Sequence, residues 1–277
     1  MKRKIVDKFM QFLIYSSGVI ICGILLFIFS YIVIKGIASL NIDFFIRLPK
    51  PVGEKGGGMV NAIVGSFILV GLASLWAVPI SVLTGIYLAE FSDNKKESKF
   101  IYVLRFLLDV LSGVPSIVIG IFAYSLIVVP MKKFSAIAGA FSLGIIMLPV
   151  ITRTTEEMMK MVPRTIREAS LGLGISNWKT VVFVILATAK PGIITGILLA
   201  VARIFGETAP LLFTAFGNRF WHRSLTDPIA SLPLQIFAYA ISPYEDWHRQ
   251  AWAGALVLIL IVYFIILISR KILLKYK

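Results

Sequence analysis

The sequence predicts an all-α integral membrane protein with six transmembrane helices. Three observations carry this prediction. Of 277 residues, 58% are hydrophobic and 15% charged, with a mean hydropathy of +0.90. Apolar runs near bilayer length recur from one end of the chain to the other. The basic residues cluster in alternate loops rather than spreading over a polar surface.

Hydropathy places the spans at about 11–34, 61–88, 101–129, 135–152, 191–216 and 250–269. The first follows Lys2, Arg3, Lys4 and Lys8 and is too long for a signal-peptide core, with no small-x-small cleavage pattern, so it is read as retained. Pro79, Gly113 with Pro115, Pro149 and Gly196 fall inside spans and mark kinks or close packing. The apolar stretch 181–216 would make a helix about 54 Å long, more than a bilayer core of about 30 Å. A break is therefore expected at Lys190-Pro191, with proline starting the fifth span. Pieces 1–10, 91–100, 153–190 and 270–277 hold nearly twice as many Lys and Arg as 35–60, 130–134 and 217–249. That bias places both termini in the cytoplasm.

The net charge of +14 raises nucleic acid as a partner. Without a polar domain carrying interleaved aromatics, membrane topology explains the charge better, and no nucleic-acid partner is expected. The single Cys22 lies in an apolar run, which excludes a disulfide framework and a cysteine metal site. His222 and His248 are the only histidines and have no companion ligands, so no metal is expected. Lys55-Gly56-Gly57-Gly58 has no following Gly-Lys-Ser/Thr and reads as a flexible entry into the second span, not a nucleotide loop. Asp109 is four residues from Arg105, as in a local ion pair. Residues 224–247, rich in proline and aromatics, suit either an interfacial helix or a docking surface for an external protein.

Two segments carry more. Within the long cytoplasmic piece, Pro163 precedes Arg167-Glu168-Ala169-Ser170-Leu171-Gly172-Leu173-Gly174, combining a helix start, charge and small residues that admit another surface. On the fifth span, Arg203 and Glu207 are spaced i, i+4 and would share one helix face near mid-membrane. Ionisable residues there are costly unless they meet a partner or water, so they mark a functional site by default, the alternative being a salt bridge that locks this span to itself or a neighbour. The planar arginine fork matches an oxyanion. Glu207 can then accept a hydrogen bond from a P–OH group that sulfate lacks, or neutralise Arg203 until substrate arrives.

Glu168-Ala169-Ser170, Gly174, Val184, Leu186 and Ala187 resemble the EAA loop of ABC-importer permeases, departing from it at Ser170, Val184 and Ala187. The run from Ala202 to Leu212, with Gly206-Glu207-Thr208-Ala209-Pro210, is similar to the signature of the PstA-type permeases of bacterial phosphate importers. Ser112-Gly113-Val114-Pro115-Ser116-Ile117-Val118, Arg153-Thr154-Thr155-Glu156-Glu157 and Pro243-Tyr244-Glu245-Asp246-Trp247-His248 resemble the same family.

The resemblance implies a MetI-like ABC-importer permease core with a cytoplasmic coupling helix. It implies one transmembrane domain over 1–277: a first span and outer loop in 1–60, then a five-span core over 61–277 with its coupling loop at about 153–190. Glu168, Ala169, Ser170 and Gly174 would engage an ATPase, and Arg203, Glu207 and Arg153 would line the phosphate path. Arg153 reads equally as a basic anchor at a span end. Implied partners are a paralogous PstC-type permease, two ATPase subunits and an external phosphate-binding protein, besides membrane lipid. This chain would bind no cofactor, ATP and Mg residing in the ATPase. Rival readings are a permease for sulfate or molybdate, a sensor that does not conduct, and an intramembrane enzyme. The last needs a nucleophile and base facing each other, and no span contains histidine.

Overall fold

A computed structural model describes residues 2–51, 54, 56–91 and 99–275, nearly all of them helical. The helices are α1 (Lys2–Ile37), α2 (Ile42–Ile46), α3 (Val60–Phe91), α4 (Lys99–Gly113) and α5 (Ser116–Met131). They continue with α6 (Ala136–Lys160), α7 (Arg164–Gly172), α8 (Asn177–Phe205), α9 (Ala209–Thr214), α10 (Leu232–Ala240) and α11 (Glu245–Lys275). Five of them, α1, α3, α6, α8 and α11, are long and apolar enough to cross a membrane, and α4 with α5 makes a sixth if counted as one bent span.

That bend falls at Gly113 with Pro115, where a kink was one of the readings, and is large enough to divide the third expected span into two helices. Helices α4 and α5 meet at 106°. Pro115, at φ −57° and ψ 137°, is extended rather than helical. Its ring disfavours helical geometry at Val114, and it lacks the N–H needed to continue the ladder.

The fifth span is corrected at both ends. Helix α8 runs through Pro191 instead of starting there, passing first through a π-helical turn at Thr180–Ile185. With no water in a bilayer to satisfy freed backbone groups, continuing the helix costs less than breaking it. At the other end the helix stops at Phe205 with Gly206 as its cap, eleven residues short of the expected boundary at Phe216. Pro210 begins the next short helix and cannot extend the previous one.

The core lies between α3 and α6. Leu69, Ala73, Leu143 and Met147 are buried there, joined by Ile204 from α8 and Leu211 from α9. Close approach needs small residues: a Cβ on Gly85 of α3 would lie 2.8 Å from the Thr152 carbonyl oxygen of α6. Helix α1 touches α11 near its end, where Tyr31 meets Trp252 edge-on at 5.2 Å. Most of its other side chains, Val19 and Phe27 among them, are exposed, as suits a lipid-facing span.

Two outer segments also differ from expectation. Lys55 lies outside the described residues, but Gly57 and Gly58 are buried, the Gly58 N–H donates to the Leu48 carbonyl at 3.2 Å, and Gln250 Nε2 donates to the Gly56 carbonyl at 2.8 Å. This entry to α3 is packed, not loose. Helix α10, from the stretch read as either an interfacial helix or a docking surface, buries Leu232, Leu234 and Tyr239. The Leu232 N–H donates to Ser66 Oγ of α3 at 2.8 Å.

Candidate functional site

Two broken spans face each other. One break lies between α4 and α5, the other between α8 and α9, where Gly206, Glu207 and Thr208 leave the helix. Their approach is close: a Cβ on Gly120 of α5 would come within 3.1 Å of the Pro210 carbonyl oxygen on α9. Between them lies a cavity of about 210 Å³ lined by Ser112, Pro115, Ser116, Pro149, Arg203 and Glu207, among others.

Arg203 and Glu207 therefore meet as the sequence predicts, but not on one continuous helix. Arg203 sits in the last turn of α8 and Glu207 beyond its cap. Arg203 Nε stands 3.8 Å from Glu207 Oε1, the arginine side chain 58% exposed and the glutamate 17%. At that separation the two charges attract without a hydrogen bond. Among the described residues neither has another charged partner. A largely buried carboxylate without a donor and a cation open to a cavity together suit a ligand bearing both negative charge and protons.

The family model of the binding-protein-dependent transport system inner membrane component matches residues 81–276. The chain belongs to this family. The permease is 46% identical over 260 residues to the phosphate transport system permease protein PstA of Haemophilus influenzae, covering 94% of this chain and 91% of that protein. Against the protein of the same name from Yersinia pestis it is 42% identical, covering 96% and 90%. Its fold matches a chain of the MetNI methionine ABC transporter, solved in inward-facing conformations, with a TM-score of 0.62 and 17% identity over 78% of this chain and 93% of that one. The permease thus has the predicted MetI-like all-helical architecture of a multi-pass ABC-transporter component.

Its EAA-like segment is a short helix tied back to the spans. Arg167 makes two hydrogen bonds to the Glu90 carboxylate at the end of α3, at 2.7 and 2.6 Å. Ser170, buried on α7, shares a 2.9 Å hydrogen bond with Thr180 of α8. Gly174, at φ +78°, closes α7: its N–H donates to the Leu171 carbonyl at 2.9 Å and the Ile175 N–H to the Ser170 carbonyl at 3.3 Å. This is the Schellman arrangement, which takes glycine because its left-handed backbone disfavours a Cβ. Glu168 and Ala169 face outward. Leu173 and Trp178 are also exposed, at 80% and 60%.

Arg153 is not among the residues lining the cavity. It pairs instead with Asp109 of α4 and lies 3.8 Å from Glu156 Oε2. The predicted Arg105–Asp109 pair is replaced by an exchange of partners across two helices. Arg105 binds Glu156 Oε1 at 2.8 Å, and Lys160 binds the same oxygen at 2.7 Å. Sequence reasoning missed Glu156 as the centre of this network. Only its i, i+4 spacing to Lys160 was visible, because the α4 partners are distant in sequence. The Glu90–Arg167 tie, 77 residues apart, left no local signal.

Proposed function

We propose that this permease passes inorganic phosphate inward by alternating access, driven by separate ATPase chains. The observation that carries the reading is the cavity where Arg203 and Glu207 stand without other partners, in a chain 46% identical to a phosphate-system permease. Its discontinuous spans have the form in which transporters expose backbone and charge to substrate within the membrane. Arg203 supplies the positive charge for the anion, and Glu207 accepts a hydrogen bond from the P–OH of a partly protonated one. Arg153, bound to Asp109, serves the path as a second station only if that pairing opens during the cycle.

Helix α7 is the coupling element. Glu168, Ala169 and the exposed Leu173 offer a contact face for an ATPase, while Ser170 and Arg167 carry its movement to α8 and α3. Gly174 sets where that helix ends. The excess of Lys and Arg in the pieces that include α7 and both termini supports a cytoplasmic position for all three. A paralogous PstC-type permease, two ATPase subunits and an external phosphate-binding protein complete the assembly. ATP and Mg belong to the ATPase, and this chain needs no cofactor of its own.

The test is ATP-dependent uptake in proteoliposomes holding the co-purified assembly, with labelled phosphate and with sulfate or molybdate as competitors. Phosphate uptake that resists both competitors is expected. Arg203→Ala should lower it about 10- to 100-fold, the range for losing one or two hydrogen bonds from a charged group. Uptake by Arg203→Ala at the parent rate would refute the assigned path.

A further inference from the structure

We infer that the break in the third span is a specificity element, in which Ser116 donates and Ser112 accepts a hydrogen bond to the oxyanion held by Arg203 and Glu207. This deepens the reading of the cavity as a phosphate station and rests on it. Both serines line the cavity together with that pair. A water occupies about 30 Å³ in the liquid, so about 210 Å³ accommodates a tetrahedral oxyanion with part of its hydration.

The two hydroxyls differ in what they have left to offer. Ser112 Oγ already donates to the Leu108 carbonyl at 2.8 Å. Its proton is committed, and its oxygen remains an acceptor. Ser116 Oγ has no hydrogen-bond partner among the described residues and is free to donate. With Arg203 and Glu207, the cavity then has donors on one side of the balance and acceptors on the other. A charged oxyanion that still carries two protons, as dihydrogen phosphate does, satisfies all four groups, and one with a single proton satisfies Arg203, Ser116 and one of the two acceptors. Sulfate, with no proton at neutral pH, leaves Glu207 and Ser112 facing oxygen lone pairs, an unpaired arrangement that discriminates more strongly than a missing contact.

The break can hold this geometry because its far side is fixed. Gly120 lets α5 press on Pro210, three residues after Glu207. The hydroxyls and the charged pair are thus referenced to the same packing contact, and a serine at the bend acts as a positioned group.

The test is a phosphate titration of the purified assembly without its binding protein, read as ligand-dependent thermal stabilisation, with sulfate at equal ionic strength as control. Phosphate moved per ATP in proteoliposomes is the second readout. Ser116→Ala should weaken apparent phosphate affinity about tenfold, and Ser116→Thr should restore it. Ser112→Ala should shrink the preference for phosphate over sulfate. Both alanine variants should keep the ligand-free melting temperature, so that a lost thermal shift reports binding and not folding.

If both behave like the parent in titration and transport while Arg203→Ala loses phosphate, the serine assignment fails and the phosphate station stands. If Arg203→Ala also behaves like the parent, the station itself fails. Where no variant or parent shows a phosphate-specific thermal shift, phosphate moved per ATP decides between the same two outcomes.

Discussion

Glu156 and Glu207 are both carboxylates held among apolar helices, and the protein treats them in opposite ways. Glu156, 5% exposed, is reached by Arg105, Lys160 and Arg153, with Asp109 taking the other side of Arg153. Glu207 has one charged neighbour at 3.8 Å and a cavity in front of it. Charge inside a membrane protein is stable when its hydrogen-bonding capacity is filled. The cluster fills Glu156 Oε1 from two cations, leaves Oε2 with only the Arg153 guanidinium at 3.8 Å, and ties α4 to α6. The unfilled pair leaves capacity for something that arrives and departs. Residue type does not distinguish a lock from a binding station; the number of partners does.

The sharpest way to break the comparison is to empty the filled cluster. Glu156→Ala leaves Arg105 and Lys160 without their shared oxygen. Removing one member of a fully buried ion pair costs about 3–5 kcal/mol; with Arg105 and Lys160 partly exposed the cost falls to about 1–3 kcal/mol, and the purified assembly should lose thermal stability measurably. A melting temperature equal to that of the parent would show that the cluster is solvated and not a lock. Arg203→Ala should behave the other way. Its uptake defect of about 10- to 100-fold should come with a stability change within about 0.5 kcal/mol.

Helix α7, the proposed coupling element, gives an intermediate case, since its contacts are filled on one face and open on the other. Gly174→Ala places a Cβ on a residue at φ +78°, at a strain of about 1–2 kcal/mol. The end of α7 should shift while the Arg167–Glu90 tie persists. The expected outcome is more ATP hydrolysed per phosphate moved, with assembly intact. Unchanged stoichiometry would mean that the Gly174 turn does not set the docking face.

Much of this was legible in the sequence, and the misses share a cause. Span number, the Arg203–Glu207 proximity and the helix around Glu168 follow from hydropathy, i, i+4 spacing and local start and stop residues. The span edge failed at Pro191, which one helix absorbs, whereas Pro115 bends the third span where a kink was among the readings. Surroundings decide that outcome: α8 continues through a π-helical turn upstream of Pro191, whereas Pro115 follows Gly113 and Val114 at the end of α4. Arg153 and Asp109 were visible as charges, but their partners come from another helix. Ser112 and Ser116 stood within a recognised motif, and their place beside Arg203 required two breaks to meet in space.

The smallest effect concerns what makes the third span bend. A Cβ added at Gly113 meets nothing within 4 Å, in contrast to Gly120 against Pro210. Gly113 is also the last residue of α4, where alanine is favoured over glycine by about 0.5–1 kcal/mol in a helix interior and by less at an end. Gly113→Ala should therefore leave stability at the parent value or slightly above it, with uptake unchanged. Loss of uptake with stability retained would make the bend depend on glycine flexibility, and the α4–α5 break would be a moving joint. Retained uptake assigns the bend to Pro115, whose missing N–H and fixed ring act in every state of the cycle. In that case the serines on either side of it are held in place, as a station that discriminates between oxyanions requires.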